Sequence, residues 1–211
     1  CVISLVRAGY VQVDPASQRY RLGPKVLRLA QQFVRQSDVL TSTRPYLEQL
    51  RDTTEETAFL SLLVGDQRVV VAQEESRLGL RRSVEIGCPM PLCCGAASKA
   101  ILAFADADLI ERVLSRPLTA LGPGATTDPS ELRRQLASIR RTGYSLGLEE
   151  LTVGAGGLCA PVFNHQSKVI GSIGIAGPVV RLGADRQDAL AAAVKQIARS
   201  LSQELGYSES S

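Results

Sequence analysis

Pro91-Leu92-Cys93-Cys94-Gly95-Ala96-Ala97-Ser98-Lys99-Ala100-Ile101-Leu102-Ala103-Phe104 runs from a proline and small-residue turn straight into an apolar helix. At a helix start the first backbone N–H groups have no internal acceptor and the macrodipole is positive, so carboxylates and phosphates bind there. Small Ala96 and Ala97 let a ligand reach that backbone, and they equally suit close packing on a sheet. The counterpart is a glycine-rich hairpin from Gly156 to Pro178. Gly154, Gly156, Gly157, Gly171, Gly174 and Gly177 weaken a sheet unless something must come close, which means a ligand, a turn or a bulge. Helix start and bare strands together describe a pocket for a small anion.

Outward from this pair, short strands are expected at Ala58 to Val64, Arg68 to Glu74 and Leu80 to Ile86, the first two joined by a Gly65-Asp66-Gln67 turn. Helices are expected at Ala96 to Phe104, Asp106 to Leu114 and Pro129 to Thr142. The last has Asp128 as N-cap, Pro129 at its first position and Glu131 in its first turn. Strands return at Tyr144 to Leu148, Leu158 to Phe163 and Val169 to Ala176, with a tight turn at Asn164-His165-Gln166-Ser167, before a closing helix from Ala184 to Leu205. Strands on both sides of a helical insertion indicate an α+β fold with a mainly antiparallel sheet.

Towards the N-terminus, Val2, Ile3, Leu5 and Val6 read as a helix end stopped by Gly9. Strands follow at Tyr10 to Val13 and Gln18 to Leu22, around an Asp14-Pro15-Ala16-Ser17 turn. A lone hairpin is not stable in water, so this piece is expected to pack on an upstream segment, as the absence of an initiator Met suggests, or on the next helix. That helix starts at Pro24 and carries Val26, Leu27, Leu29, Ala30, Phe33 and Val34; a second, with Val39, Leu40, Tyr46, Leu47 and Leu50, follows a Ser37-Asp38 break.

The 211 residues are 45% hydrophobic, enough to bury a core. Apolar runs fall short of the roughly 20 residues of a membrane span, and no secretory leader is evident, so a cytoplasmic location is expected. Five cysteines, Cys1, Cys88, Cys93, Cys94 and Cys159, form neither a disulfide framework nor a zinc spacing, and buried small hydrophobes are the simpler reading. No metal or cofactor is expected. Residues 1–36 hold Arg7, Arg19, Arg21, Lys25, Arg28 and Arg35 against Asp14 alone, so +5 of the net +3 lies there and −2 on the rest. A basic head suggests a polyanion partner, or a solvated surface.

Read at period two, Leu80, Arg82, Val84 and Ile86 share one face. Arg82 there either snorkels to an edge or meets an anion in a cavity. Catalysis is not indicated. Glu149 and Glu150 are adjacent, would face opposite sides of a strand, and read as solvated charge. His165, in a polar turn, has no nucleophile signature beside it, and there is no phosphate-binding loop.

These residues, in this order and spacing, resemble the IclR family of bacterial transcriptional regulators over nearly the whole chain. The motifs are Leu5-Val6-Arg7-Ala8-Gly9-Tyr10-Val11, Arg19-Tyr20-Arg21-Leu22-Gly23-Pro24, Lys99-Ala100-Ile101-Leu102-Ala103-Phe104 and Arg141-Thr142-Gly143-Tyr144. Glu149-Glu150-Leu151-x-x-Gly154, Ala160-Pro161-Val162-Phe163 and Gly177-Pro178 complete the set. The resemblance implies a remnant winged helix-turn-helix over residues 1–23, a linker helix over 24–36, and over 37–211 an effector domain. That domain would have a curved antiparallel sheet flanked by helices, as in GAF and PAS sensors. It further implies operator DNA as a partner, contacted here through a wing with Arg19 and Arg21, a small-molecule effector, and dimers or tetramers.

Carried over by position, the resemblance implies an effector cavity lined by Met90, Ala96, Ala97, Gly147, Gly157, Gly174 and Ala176, with Arg82 on a wall strand able to clamp a carboxylate. Members that bind very small keto-acids have polar side chains at several of these places. Glycine and alanine here enlarge the cavity. The expected effector is therefore a carboxylate larger than pyruvate, aromatic acids included, its acid group at Arg82 or the Ala96-Ala97 amides and its apolar part near Met90, Leu92 and Gly174. A ligand-free dimerisation module and a small-molecule enzyme on the same fold are the alternatives.

Overall fold

The computed structural model describes residues 2–15, 17–36 and 38–208. Cys1, the turn residue Ala16, Ser37 at the expected start of the effector domain, and residues 209–211 lie outside the described residues, as do the side chains of Gln31, Phe33, Val34, Arg35, Gln36 and Asp38. The chain forms two units, Cys1–Thr41 and Ser42–Ser211.

In the first unit α1 (Val2–Arg7) ends ahead of Gly9, which takes the left-handed φ of +78°. β1 (Val11–Val13) pairs antiparallel with β2 (Tyr20–Leu22), Val11 opposite Leu22. In the intervening turn the Asp14 carboxylate accepts from Ser17 N–H at 3.0 Å and pairs with Arg21. A Cβ at Gly23 would lie 2.3 Å from Gly9 O, so only glycine lets the chain leave β2 this close to Gly9. α2 (Lys25–Gln36) follows Pro24, and α3 (Asp38–Thr54) leads into the second unit.

The second unit is built on a curved six-stranded antiparallel sheet. In spatial order its strands are β5 (Pro89–Pro91), β4 (Gln67–Glu74), β3 (Thr57–Val64), β8 (Val169–Pro178), β7 (Ala155–Phe163) and β6 (Ser145–Leu148). The register shifts once between β3 and β4, at Leu60/Ser61, and once between β7 and β8, at Val162/Phe163. Such irregularities bend a sheet, as this one is bent. Central β8 is buried almost throughout because helices cover both faces. On one face Phe59, Val70, Cys159 and Ala176 meet Ala96, Ala97 and Ala100 of α4 (Ala96–Leu102). On the other, Leu158, Ala160, Ile173 and Ile175 are buried where α7 (Ala184–Glu204) crosses β7 and β8.

A second core joins the far end of α4 to α5 (Ala107–Leu114) and α6 (Pro129–Thr142), with Ile101, Leu102, Ile110, Leu132 and Leu136 at its centre. α6 has the bounds that its capping residues dictate. Asp128 accepts from Ser130 N–H at 2.8 Å, Pro129 opens the helix and left-handed Gly143 closes it. Among the described residues no helix is long and apolar enough to cross a membrane.

One expected strand does not form. Leu80 to Ile86 is irregular, and β5 pairs with the edge of β4 instead, Pro91 opposite Gln67 and Pro89 opposite Val69. Prolines lack the N–H of a central ladder but are tolerated at an edge, so a three-residue strand with two prolines carries no sequence signal. The alternation at 82 and 84 survives without a ladder: Arg82 and Val84 are half-buried while Arg81 and Ser83 are exposed. β7 starts at Ala155, three residues earlier than expected, so Gly156 and Gly157 are paired strand residues.

Candidate functional site

A cavity of about 260 Å³ lies within the second unit, between α4 and the sheet face beneath it. The sheet supplies Phe59, Val70, Gly157 and Ala176; the start of α4 supplies Gly95, Ala96 and Ala97; the irregular segment before β5 supplies Arg82, Val84 and Cys88. Leu151, Thr152 and Ala155 close the side next to β6. The protein's own side chains leave this space unfilled, and its walls are mainly apolar with polar groups at a few points.

Of the residues singled out from sequence, Arg82, Met90, Ala96, Ala97, Gly147, Gly157 and Ala176 lie on the wall. A Cβ at Gly147 would fall 2.9 Å from Ala96 N and 3.1 Å from Glu150 Oε1, so the bare strand here opens the way to the helix backbone. Leu92 and Gly174 do not line the cavity. Leu92 is 1% exposed in the second core among Ile101 and Leu102. At Gly174 an added Cβ would sit 2.6 Å from Cys159 Sγ and 2.2 Å from Leu158 O, so its missing side chain makes room for the neighbouring strand.

Glu150 overturns its reading as solvated charge. It is 7% exposed, accepts from Gly95 N–H at 2.8 Å, and its other oxygen pairs with Lys99, itself 4% exposed. Lys99 also donates to Gln135 Oε1 at 3.0 Å, and Gln135 to Glu131 at 3.0 Å. The strand geometry assumed for residues 149 and 150 does not apply, because β6 ends at Leu148 and Glu149 turns the chain with φ +55°. One sequence signal pointed to this pair: a lysine inside the apolar run of α4 demands a carboxylate.

Among the described residues two cations line the cavity. Arg82 is half-buried and donates through Nη2 to Thr152 Oγ1 at 3.2 Å. Arg68 is 5% exposed, and sequence reading passed over it at the start of an expected strand. Its Nε donates to Ser98 Oγ at 2.9 Å and its Nη1 to Ser61 Oγ at 3.4 Å, with no carboxylate partner among the described residues. Burial lowers its pKa, and burial also pushes the nearby Cys159 thiol up to about 12, so that thiol stays neutral. Cys93, Cys94 and Cys159 are buried free thiols. Among the described residues no cluster of three His, Cys, Asp or Glu side chains could hold a metal ion.

A curved antiparallel sheet closed by one helix over an unfilled, cation-bearing cavity is the build of a small-molecule sensor. Residues 31–203 match the family model described as bacterial transcriptional regulator IclR C-terminal. The chain is 32% identical over 202 residues to the HTH-type transcriptional regulator BhcR of Paracoccus denitrificans, covering 95% of this chain and 72% of that protein. It is 31% identical over 207 residues to the HTH-type transcriptional regulator KipR of Bacillus subtilis, covering 98% and 82%. Among solved structures, an IclR transcriptional regulator from a Silicibacter species superposes with a TM-score of 0.89 at 30% identity, over 98% of this chain and 82% of that one. An IclR homolog from Microbacterium hydrocarbonoxydans, complexed with 4-hydroxybenzoate, shares the fold with a TM-score of 0.81 at 24% identity, over 97% and 82%. The chain belongs to the IclR family of bacterial transcriptional regulators.

Proposed function

We propose that this regulator senses an organic carboxylate larger than pyruvate, aromatic acids included, in the cavity between α4 and the sheet, and that occupancy alters its binding to operator DNA. The observation that carries this reading is the unfilled space itself, apolar at Phe59, Val70 and Val84 and cationic at its arginines. A ligand of that chemistry buries its apolar body against the sheet and sets its acid on the arginines or on the Ala96 and Ala97 amides. The 4-hydroxybenzoate held by the Microbacterium hydrocarbonoxydans homolog is an acid of this kind.

Residues 1–23, 24–36 and 37–211 are proposed as wing, linker helix and effector domain, working in the cytoplasm as a dimer or tetramer. Exposed Arg19 and Arg21 would meet DNA phosphates; such contacts position a protein on the duplex and leave sequence reading to groups that reach base edges. Calorimetric titration of the chain with pyruvate, benzoate and 4-hydroxybenzoate tests the sensing role. Saturable binding of the aromatic acids, with pyruvate much weaker, is expected; no binding by any of the three contradicts it.

A further inference from the structure

We infer that Arg68 is the residue that anchors the ligand's acid group, so that a bound carboxylate lies innermost in the cavity and its far end faces Arg82. This rests on the carboxylate-sensing reading and adds to it the anchor and the direction of the ligand.

Arg68 shares a strand face with Val70, so β4 presents a cation in the middle of an apolar surface. Its guanidinium is held by two serine hydroxyls. Ser98 is itself fixed, since its Oγ donates to Pro91 O at 2.7 Å while accepting from Arg68 Nε. Among the described residues Nη2 has no protein acceptor, and Nη1 keeps one N–H beyond its bond to Ser61, so one N–H from each of these two nitrogens remains for a carboxylate.

The protein's own acids on the cavity wall do not serve. Glu150 is committed to Lys99 and Gly95 N–H, and Glu85 is exposed at the rim. A buried arginine without a counter-charge is costly, and an entering anion removes that cost. Arg82 differs on both counts, being only half-buried, bonded to Thr152 Oγ1 and able to meet water. An acid at Arg68 leaves the ligand's body against Phe59, Val70 and Val84, which suits a flat apolar group.

The test is calorimetry and thermal melting of the chain with benzoate and its neutral counterpart benzamide, in wild type, Arg68→Met, Arg68→Lys and Arg82→Ala. Benzoate affinity is expected to fall roughly 30-fold or more in Arg68→Met, since a buried charge partner is lost, and to change less than about threefold in Arg82→Ala. Arg68→Lys keeps the charge without the fork and is expected to fall between them. Without ligand Arg68→Met is expected to melt no lower than wild type. Equal benzoate binding by wild type and Arg68→Met, or a loss in Arg82→Ala alone, overturns the anchor and leaves carboxylate sensing standing. Where wild type binds none of benzoate, 4-hydroxybenzoate and pyruvate, both readings fall; where it binds 4-hydroxybenzoate alone, the same variants are compared with that acid.

Discussion

Lys99 and Glu150 form a buried ion pair at the first turn of α4, and the second Glu150 oxygen takes the Gly95 N–H at 2.8 Å. The pair ties the helix start to the loop after β6, the two elements that bound one side of the cavity. Removing one charge leaves the other buried without its partner. Glu150→Gln is therefore expected to cost about 3–5 kcal/mol in urea unfolding. The double variant Lys99→Met/Glu150→Gln is expected to recover most of that loss. A double variant no more stable than Glu150→Gln would show that the charge of Lys99 is not what makes the single change costly.

Two glycines facing α4 should behave differently. A Cβ at 147 would fall 2.9 Å from Ala96 N and 3.1 Å from Glu150 Oε1, so Gly147→Ser is expected to weaken acid binding at least tenfold, about 1.4 kcal/mol, and to cost stability as well, though less than the closer clash at 174. At 174 the clash is with backbone of the next strand, so Gly174→Ala is expected to destabilise by about 1–3 kcal/mol or more. Paired urea melts and acid titrations of the two variants check the contrast.

Acid stability has a visible contributor between α5 and α6. Arg133 donates to both oxygens of Glu111, at 2.8 and 3.1 Å, and holds that carboxyl below its usual range. A group with a depressed folded-state pKa stabilises above its unfolded value, near 4.5, and the contribution fades as pH falls through the lower folded value. The pair is exposed, so the effect is small. Arg133→Ala is expected to melt slightly below wild type at pH 7, with the gap closing below about pH 4. A gap that widens in acid would contradict this sign.

Much of the fold was legible wherever local chemistry decides structure. Asp128-Pro129 and Gly143 mark the bounds of α6, and Gly65-Asp66 marks the β3–β4 turn. The edge strand at Pro89–Pro91 was hidden because its pairing comes from β4 and not from its own residues. Of the nine candidate cavity residues, all but Leu92 and Gly174 reach the wall, yet the two most buried charges on it, Glu150 and Arg68, were misread or passed over. Glu150 is buried by a lysine 51 residues away, and Arg68 is oriented by a serine 30 residues away. Period-two reading assigns a face to a strand residue but says nothing about a partner delivered by a distant helix.

The most direct measurement is a crystal structure of the chain with 4-bromobenzoate, in which the anomalous signal of bromine marks the ligand without ambiguity. The account predicts one strong peak in the cavity between Phe59 and Ala96, with the bromine on the Arg82 side and the carboxylate within hydrogen-bonding reach of Arg68. A cavity without the peak, in crystals that carry the compound elsewhere on the protein, would contradict it.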